Sequence, residues 1–220
     1  NQESALEKLN KKILLHNKSN IGIGHTRWAT HGSKVDRNSH PHISNNKLFS
    51  LVHNGIISNY SEIKNKLLEF KHFNSDTDSE VIVNLLEYNY DITFTKTNNQ
   101  TNKQTNKQIK SLLVKIIKNT LNKLEGSWGL VILCSLLPNT LFVVRKGSPL
   151  LVSLDNNCDI IITSERSGFC GTINNYIVLD NNDICIVSQE NGIETTCNNY
   201  LPIKNNSVKG VELQNKTKID

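Results

Sequence analysis

The most regular stretch of the chain runs from Ile109 to Leu124. There Ile109, Leu112, Leu113, Ile116, Ile117, Leu121 and Leu124 recur at helical spacing, which predicts an amphipathic helix. From Ser127 onward the pattern changes. "SWGLVILCSL", "TLFVVRKG", "PLLVSL", "DIIITS", "NYIVLD" and "DICIVSQ" are short β-rich runs separated by Pro-Asn, Asn-Asn and Asn-Gly turn signals, and they predict an antiparallel meander. The first half mixes both periods. Residues 3–16 set Leu6, Leu9 and Ile13 at helical spacing opposite Lys8, Lys11 and Lys12, and "NIGIGHT" alternates Ile with Gly as a strand does where another backbone or a ligand comes close. Arg27 to Asn46 is expected to be loop. "KLFSLVH" predicts a strand running into "NGIISN". Asn59 with Glu62, and Thr77 with Glu80, have the spacing of capping boxes, the first before Ile63 and Leu67, the second before Val81, Ile82, Leu85 and Leu86. Lys96 to Gln108 holds a TNKQ repeat and no apolar residue, which predicts a disordered surface insertion. Strands, then helices, then strands predict an α+β domain with layered sheets.

Composition narrows the class. A chain of 220 residues is long enough for one sizeable core and short for two. No apolar run approaches the ~20 residues that span a bilayer, so no membrane partner is expected. The net charge of +5 is spread over scattered Lys with four Arg, at 27, 37, 145 and 166, which argues against nucleic-acid binding. The five Cys (134, 158, 170, 185 and 197) have no CxxC spacing and read as reduced thiols of a cytoplasmic protein. Met is absent and the chain opens without an initiator. An internal piece of a longer polypeptide is therefore expected.

The polar chemistry concentrates in "GIGHTRWATHG", Gly22 to Gly32, and just beyond it. Five of the seven His (25, 31, 40, 42 and 53) fall within this region. A zinc site would want Cys, Asp or Glu among its ligands, and only Asp36 lies in the same segment while Pro41 separates His40 from His42. No metal is expected. Residue types alone leave two readings open: histidines bonded within tight turns, or the rim of a substrate pocket.

Motif order adds a third line of argument. "GIGHTRWATHG", "NSHPH" (38–42), "VHNGIISN" (52–59) and "SDTDSEVI" (75–82), followed by "RKGSPLLVSL", "TSER" and "NNDICIVS", resemble the glutaminase domains of the glutamine:fructose-6-phosphate aminotransferases. These are class II glutamine amidotransferases of the N-terminal-nucleophile hydrolase type. The resemblance implies an αββα sandwich of two antiparallel sheets between helix layers, no cofactor, and L-glutamine as the ligand. It implies that Arg27 grips the glutamine α-carboxylate with its planar fork and that Asp78 pairs with the α-ammonium. Asn54 and Gly55 would form the oxyanion hole. Trp28, Thr30 and His31 would close over the substrate, with Trp28 gating ammonia, and His40 would join the closing region. The family's nucleophile is a Cys at the mature amino terminus, whereas residue 1 is Asn and no Cys precedes Cys134. The expectation is thus a domain over residues 1–220 without its leading strands and nucleophile, inactive by itself, whose sugar isomerase partner domains would follow and make the homo-oligomer. The alternatives are a class II amidotransferase with another acceptor, or a degenerate glutamine-binding module.

Overall fold

The computed structural model describes residues 5–12, 19–27, 32–96, 105–154, 159–169 and 176–195. Helix α1 (Ala5–Lys12) opens the chain; strands β1 (His42–Ile43) and β2 (Phe49–Ile57) precede helices α2 (Tyr60–Leu67), α3 (Asp78–Lys96) and α4 (Asn106–Leu121). Strands β3 (Gly126–Cys134), β4 (Thr140–Lys146), β5 (Leu151–Leu154), β6 (Ile160–Thr163), β7 (Tyr176–Val178), β8 (Ile184–Ser188) and β9 (Gly192–Thr195) follow.

Two antiparallel sheets result. The larger has the order β1-β2-β3-β4-β8-β9 and the smaller β6-β5-β7. The apolar runs of the second half look continuous because the large sheet is buried on both faces, so neither side needs polar residues. Along β3, Leu130, Ile132 and Cys134 turn to the helices, where they meet Val81, Ile82 and Leu85 of α3 and Leu113, Ile116 and Ile117 of α4. Val131, with Val143 of β4 and Cys185 and Val187 of β8, turns the other way onto Val152, Ile160 and Ile162 of the small sheet. On the small sheet itself, Tyr176 of β7 and Phe169 cluster with Leu151 of β5. The described layers are helices, large sheet, small sheet. Both sheets of the predicted sandwich are thus present, with one of its two helix layers among the described residues.

The structure departs from the sequence expectations in six places: first, the stretch from Arg27 to Asn46 expected as loop carries β1, paired with β2. The six β-rich runs do not form one meander: β4 pairs with β8, and β5, β6 and β7 leave to make the second sheet. "NIGIGHT" joins neither sheet; its Ile21 and Ile23 pack instead into the core between the sheets. Asn59 precedes α2 but makes no side-chain cap, because its Oδ1 accepts the Glu125 N–H and its Nδ2 donates to the Lys123 carbonyl. The Thr77 box is half made: Thr77 Oγ1 accepts the Glu80 N–H, while the Glu80 carboxylate accepts from Asn74 and Ser75. Both ends of the expected Lys96 to Gln108 insertion belong to helices instead, since Lys96 ends α3 and Thr105 with Gln108 forms a complete capping box on α4. Residues 97–104 lie outside the described residues, as do residues 3–4 and 13–16 of the first expected helix. Among the described residues no helix is long and apolar enough to cross a membrane.

Candidate functional site

A cleft of about 500 Å³ lies between the two sheets and is lined in part by residues 22–26. Gly22 to Thr26 form one wall, Val52, His53 and Asn54 of β2 with Gly129 of β3 form the floor, and Ile160, Ile162 and Thr163 to Glu165 close the other side. This volume is ordinary for a small-molecule pocket.

Asn54 is carried on β2 opposite Gly129 and faces the cleft. Its Oδ1 lies 2.6 Å from His25 Nε2. The neighbouring Gly55 has φ +132°, and a Cβ there would strike the Ser127 carbonyl. Only glycine fits this position. The Asn-Gly pair is therefore not a hairpin turn but part of a central strand.

Arg27 stands at the end of the same wall with φ +56°. Its N–H donates to His25 Nδ1 at 2.8 Å, and its guanidinium donates to the carbonyls of Ser33 (3.1 Å) and Gly32 (3.2 Å). It is not among the residues lining the cleft. The loop it holds is tied down in turn by buried Asn38, which donates to the Ser33 carbonyl and accepts the Asp76 N–H. Asp78 is 3% exposed, begins α3, and accepts the Ile57 N–H at 2.9 Å. That bond joins the helix to β2 just after Gly55. Like Arg27, Asp78 stands beside the cleft and not in its lining. Trp28, Thr30 and His31 lie outside the described residues.

His40 does not reach the cleft either. Its ring stacks on His25 with centroids 4.3 Å apart and meets His42 edge-on at 4.8 Å, and its Nδ1 accepts the His53 N–H at 3.4 Å. Burial, then the neighbouring His25, His42 and His53 and the Arg27 charge, lower its pKa to about 3. Burial likewise lowers that of His42, whose Nε2 meets Thr77 Oγ1 at 3.0 Å. A base whose folded pKa is depressed binds fewer protons folded than unfolded, so it costs nothing above its ordinary value and destabilises below it. The melting temperature should therefore fall as pH drops from about 6.5 toward 3. His40→Gln should flatten that slope; an unchanged profile would show that the stack is not responsible. Among the described residues no group of three or more His, Cys, Asp and Glu is placed to hold a metal.

Sequence reasoning assigned no role to His25, although it sits in the "GIGHTRW" motif, nor to Thr163, Ser164 and Glu165, whose "TSER" motif was visible. Both line the cleft. Of the five thiols, Cys134 and Cys185 are described and buried, and burial raises them to about 11 and about 12. Neither offers a thiolate at neutral pH.

Helices packed on one of two antiparallel sheets, with a cleft between the sheets, make the fold seen in N-terminal-nucleophile-type amidotransferases. Solved structures bear this out: glutamine phosphoribosylpyrophosphate amidotransferase from B. subtilis, complexed with ADP and GMP, superposes with TM-score 0.56 at 22% identity, covering 78% of this chain and 33% of that one. The structure of the allosteric regulatory enzyme of purine biosynthesis gives 0.57 at 23% identity with the same coverage. Residues 10–98 match the glutamine amidotransferase domain family. The chain is similar to the glutamine–fructose-6-phosphate aminotransferases of Caldanaerobacter subterraneus (42% identical over 142 residues, 64% of this chain and 20% of the relative) and Buchnera aphidicola (44% over 149 residues, 67% and 22%). A probable one of Acanthamoeba polyphaga mimivirus is 35% identical over 184 residues, 81% of this chain and 27% of the relative. The chain thus spans about a fifth to a quarter of the length of these curated relatives.

Proposed function

We propose that the cleft is the glutamine pocket of an enzyme that hydrolyses the glutamine amide and passes the ammonia to fructose 6-phosphate, giving glutamate and glucosamine 6-phosphate. The observation that carries this is Asn54, held at the cleft by His25 beside a glycine that nothing else can replace. The acceptor is supported by the names of the relatives at 35–44% identity.

In this reading a thiolate adds to the side-chain carbonyl of glutamine. The Asn54 Nδ2–H and the Gly55 N–H donate to the oxyanion, where charge develops and donors act most strongly. The tetrahedral intermediate expels ammonia, which takes its proton from the protonated nucleophile's own α-amine, and the resulting thioester is hydrolysed to glutamate. Arg27 exchanges its neutral carbonyl partners for the α-carboxylate, a charge-assisted and two-pronged bond that is stronger. Asp78 takes the α-ammonium. Trp28, Thr30 and His31 close the site, and His40 buttresses it from behind His25. In this reading the thiol is that of the nucleophilic Cys that the resemblance implies, and buried Cys134 and Cys185 do not serve as that group. Sugar isomerase domains following Asp220 would supply the acceptor and the oligomer contacts.

The test is Arg27→Lys in the complete polypeptide that carries this domain. A single ammonium does not reproduce the fork, so the glutamine KM should rise about 10-fold or more while ammonia-dependent synthesis stays near wild type. Unchanged glutamine KM and kcat would sink the carboxylate assignment.

A further inference from the structure

The His25 ring stands at the junction of the two ends of the proposed glutamine site, and its nitrogens face different partners. Nδ1 lies 2.8 Å from the Arg27 amide nitrogen. A backbone N–H only donates, so Nδ1 holds the lone pair, and in a neutral imidazole the proton then sits on Nε2. Nε2 is 2.6 Å from Asn54 Oδ1 and donates to it. The reverse orientation of the Asn54 amide would set two N–H donors against each other. With its oxygen engaged, Asn54 presents its NH₂ group away from His25. The ring plane is fixed as well, by His40 stacked at 4.3 Å and 23°. His25 thus shapes the positive-φ backbone of Arg27 and the orientation of Asn54 through one tautomer.

We propose that His25 is a positioning residue for glutamine hydrolysis, whose Nδ1 sets the Arg27 backbone for the carboxylate end of the substrate while its Nε2–H aims the Asn54 amide at the oxyanion. The proposal rests on the roles given above to Arg27 and Asn54. It assigns His25 no acid–base step, since both nitrogens are already committed.

The two bonds can be cut separately. His25→Gln can place an N–H where Nε2 stands and lacks the acceptor for Arg27. His25→Asn can place an oxygen where Nδ1 stands and lacks the donor to Asn54. In the complete polypeptide, His25→Asn should lower glutamine kcat about tenfold or more with little change in KM, and should cost nothing further in an Asn54→Ala background. His25→Gln should instead raise KM several-fold and leave kcat near wild type. A merely structural histidine would move both parameters together in both variants, and that result would overturn the proposal. The tautomer gives an independent reading that needs no variant to fold: ¹⁵N spectra of histidine-labelled protein should show the His25 proton on Nε2. A proton on Nδ1 would overturn the proposal outright. If Arg27→Lys and Asn54→Ala both keep wild-type glutamine kinetics, the functional reading itself fails, and the positioning role falls with it.

Discussion

Asn54→Ala should lower kcat for glutamine hydrolysis by roughly 10² or more, with a much smaller change in KM. One donor to an oxyanion contributes about that much, and mainly in the transition state. The structure makes this a clean experiment. Asn54 joins the β2–β3 ladder opposite Gly129 through its backbone, so the ladder survives the substitution. Its side chain has one described partner, His25. The melting temperature should therefore change little while turnover collapses, and the two are measured on one preparation. A structural asparagine would give the opposite pair of results.

Gly55→Ala should be strongly destabilising, costing about 3 kcal/mol or more in denaturant unfolding. The backbone at φ +132° is nearly closed to L residues, and the added carbon meets the Ser127 carbonyl, which is itself held in register opposite Ile56. Neither backbone can give way without parting β2 from β3, so strain and overpacking add. Gly192→Ala is the control. It too has positive φ, +67°, but nothing lies within 4 Å of its Cβ, and it should cost only about 1–2 kcal/mol. Equal effects at the two positions would show that the Ser127 contact is not limiting.

Local period carried the helices and strands well. The stripe from Ile109 to Leu121 became α4, with Leu113, Ile116 and Ile117 buried as spaced. Period does not name partners, however. "TLFVVRKG" and "DICIVSQ" lie on either side of three other strands in sequence and yet pair with each other, because the burial of both faces leaves no polar stripe to mark which sheet a run belongs to. "NIGIGHT" alternates like a strand, but alternation marks faces and says nothing of a neighbour to bond. Asn59 lost its cap to Lys123 and Glu125, contacts 64 and 66 residues away. The site divides in the same way. Asn54 and Gly55 were legible as a motif. The role of His25 was not, because it depends on a bond to a residue 29 positions on, and the placement of Asp78 against β2 depends on the Ile57 N–H.

The most direct test of a glutamine pocket is a crystal structure of the complete polypeptide with the product L-glutamate bound. Glutamate should occupy the cleft between residues 22–26 and β6, its side-chain carboxylate within hydrogen-bond distance of Asn54 Nδ2 and its α-carboxylate on the Arg27 guanidinium. Glutamate bound elsewhere, or in this cleft with its α-carboxylate at Asn54, would contradict the assignment.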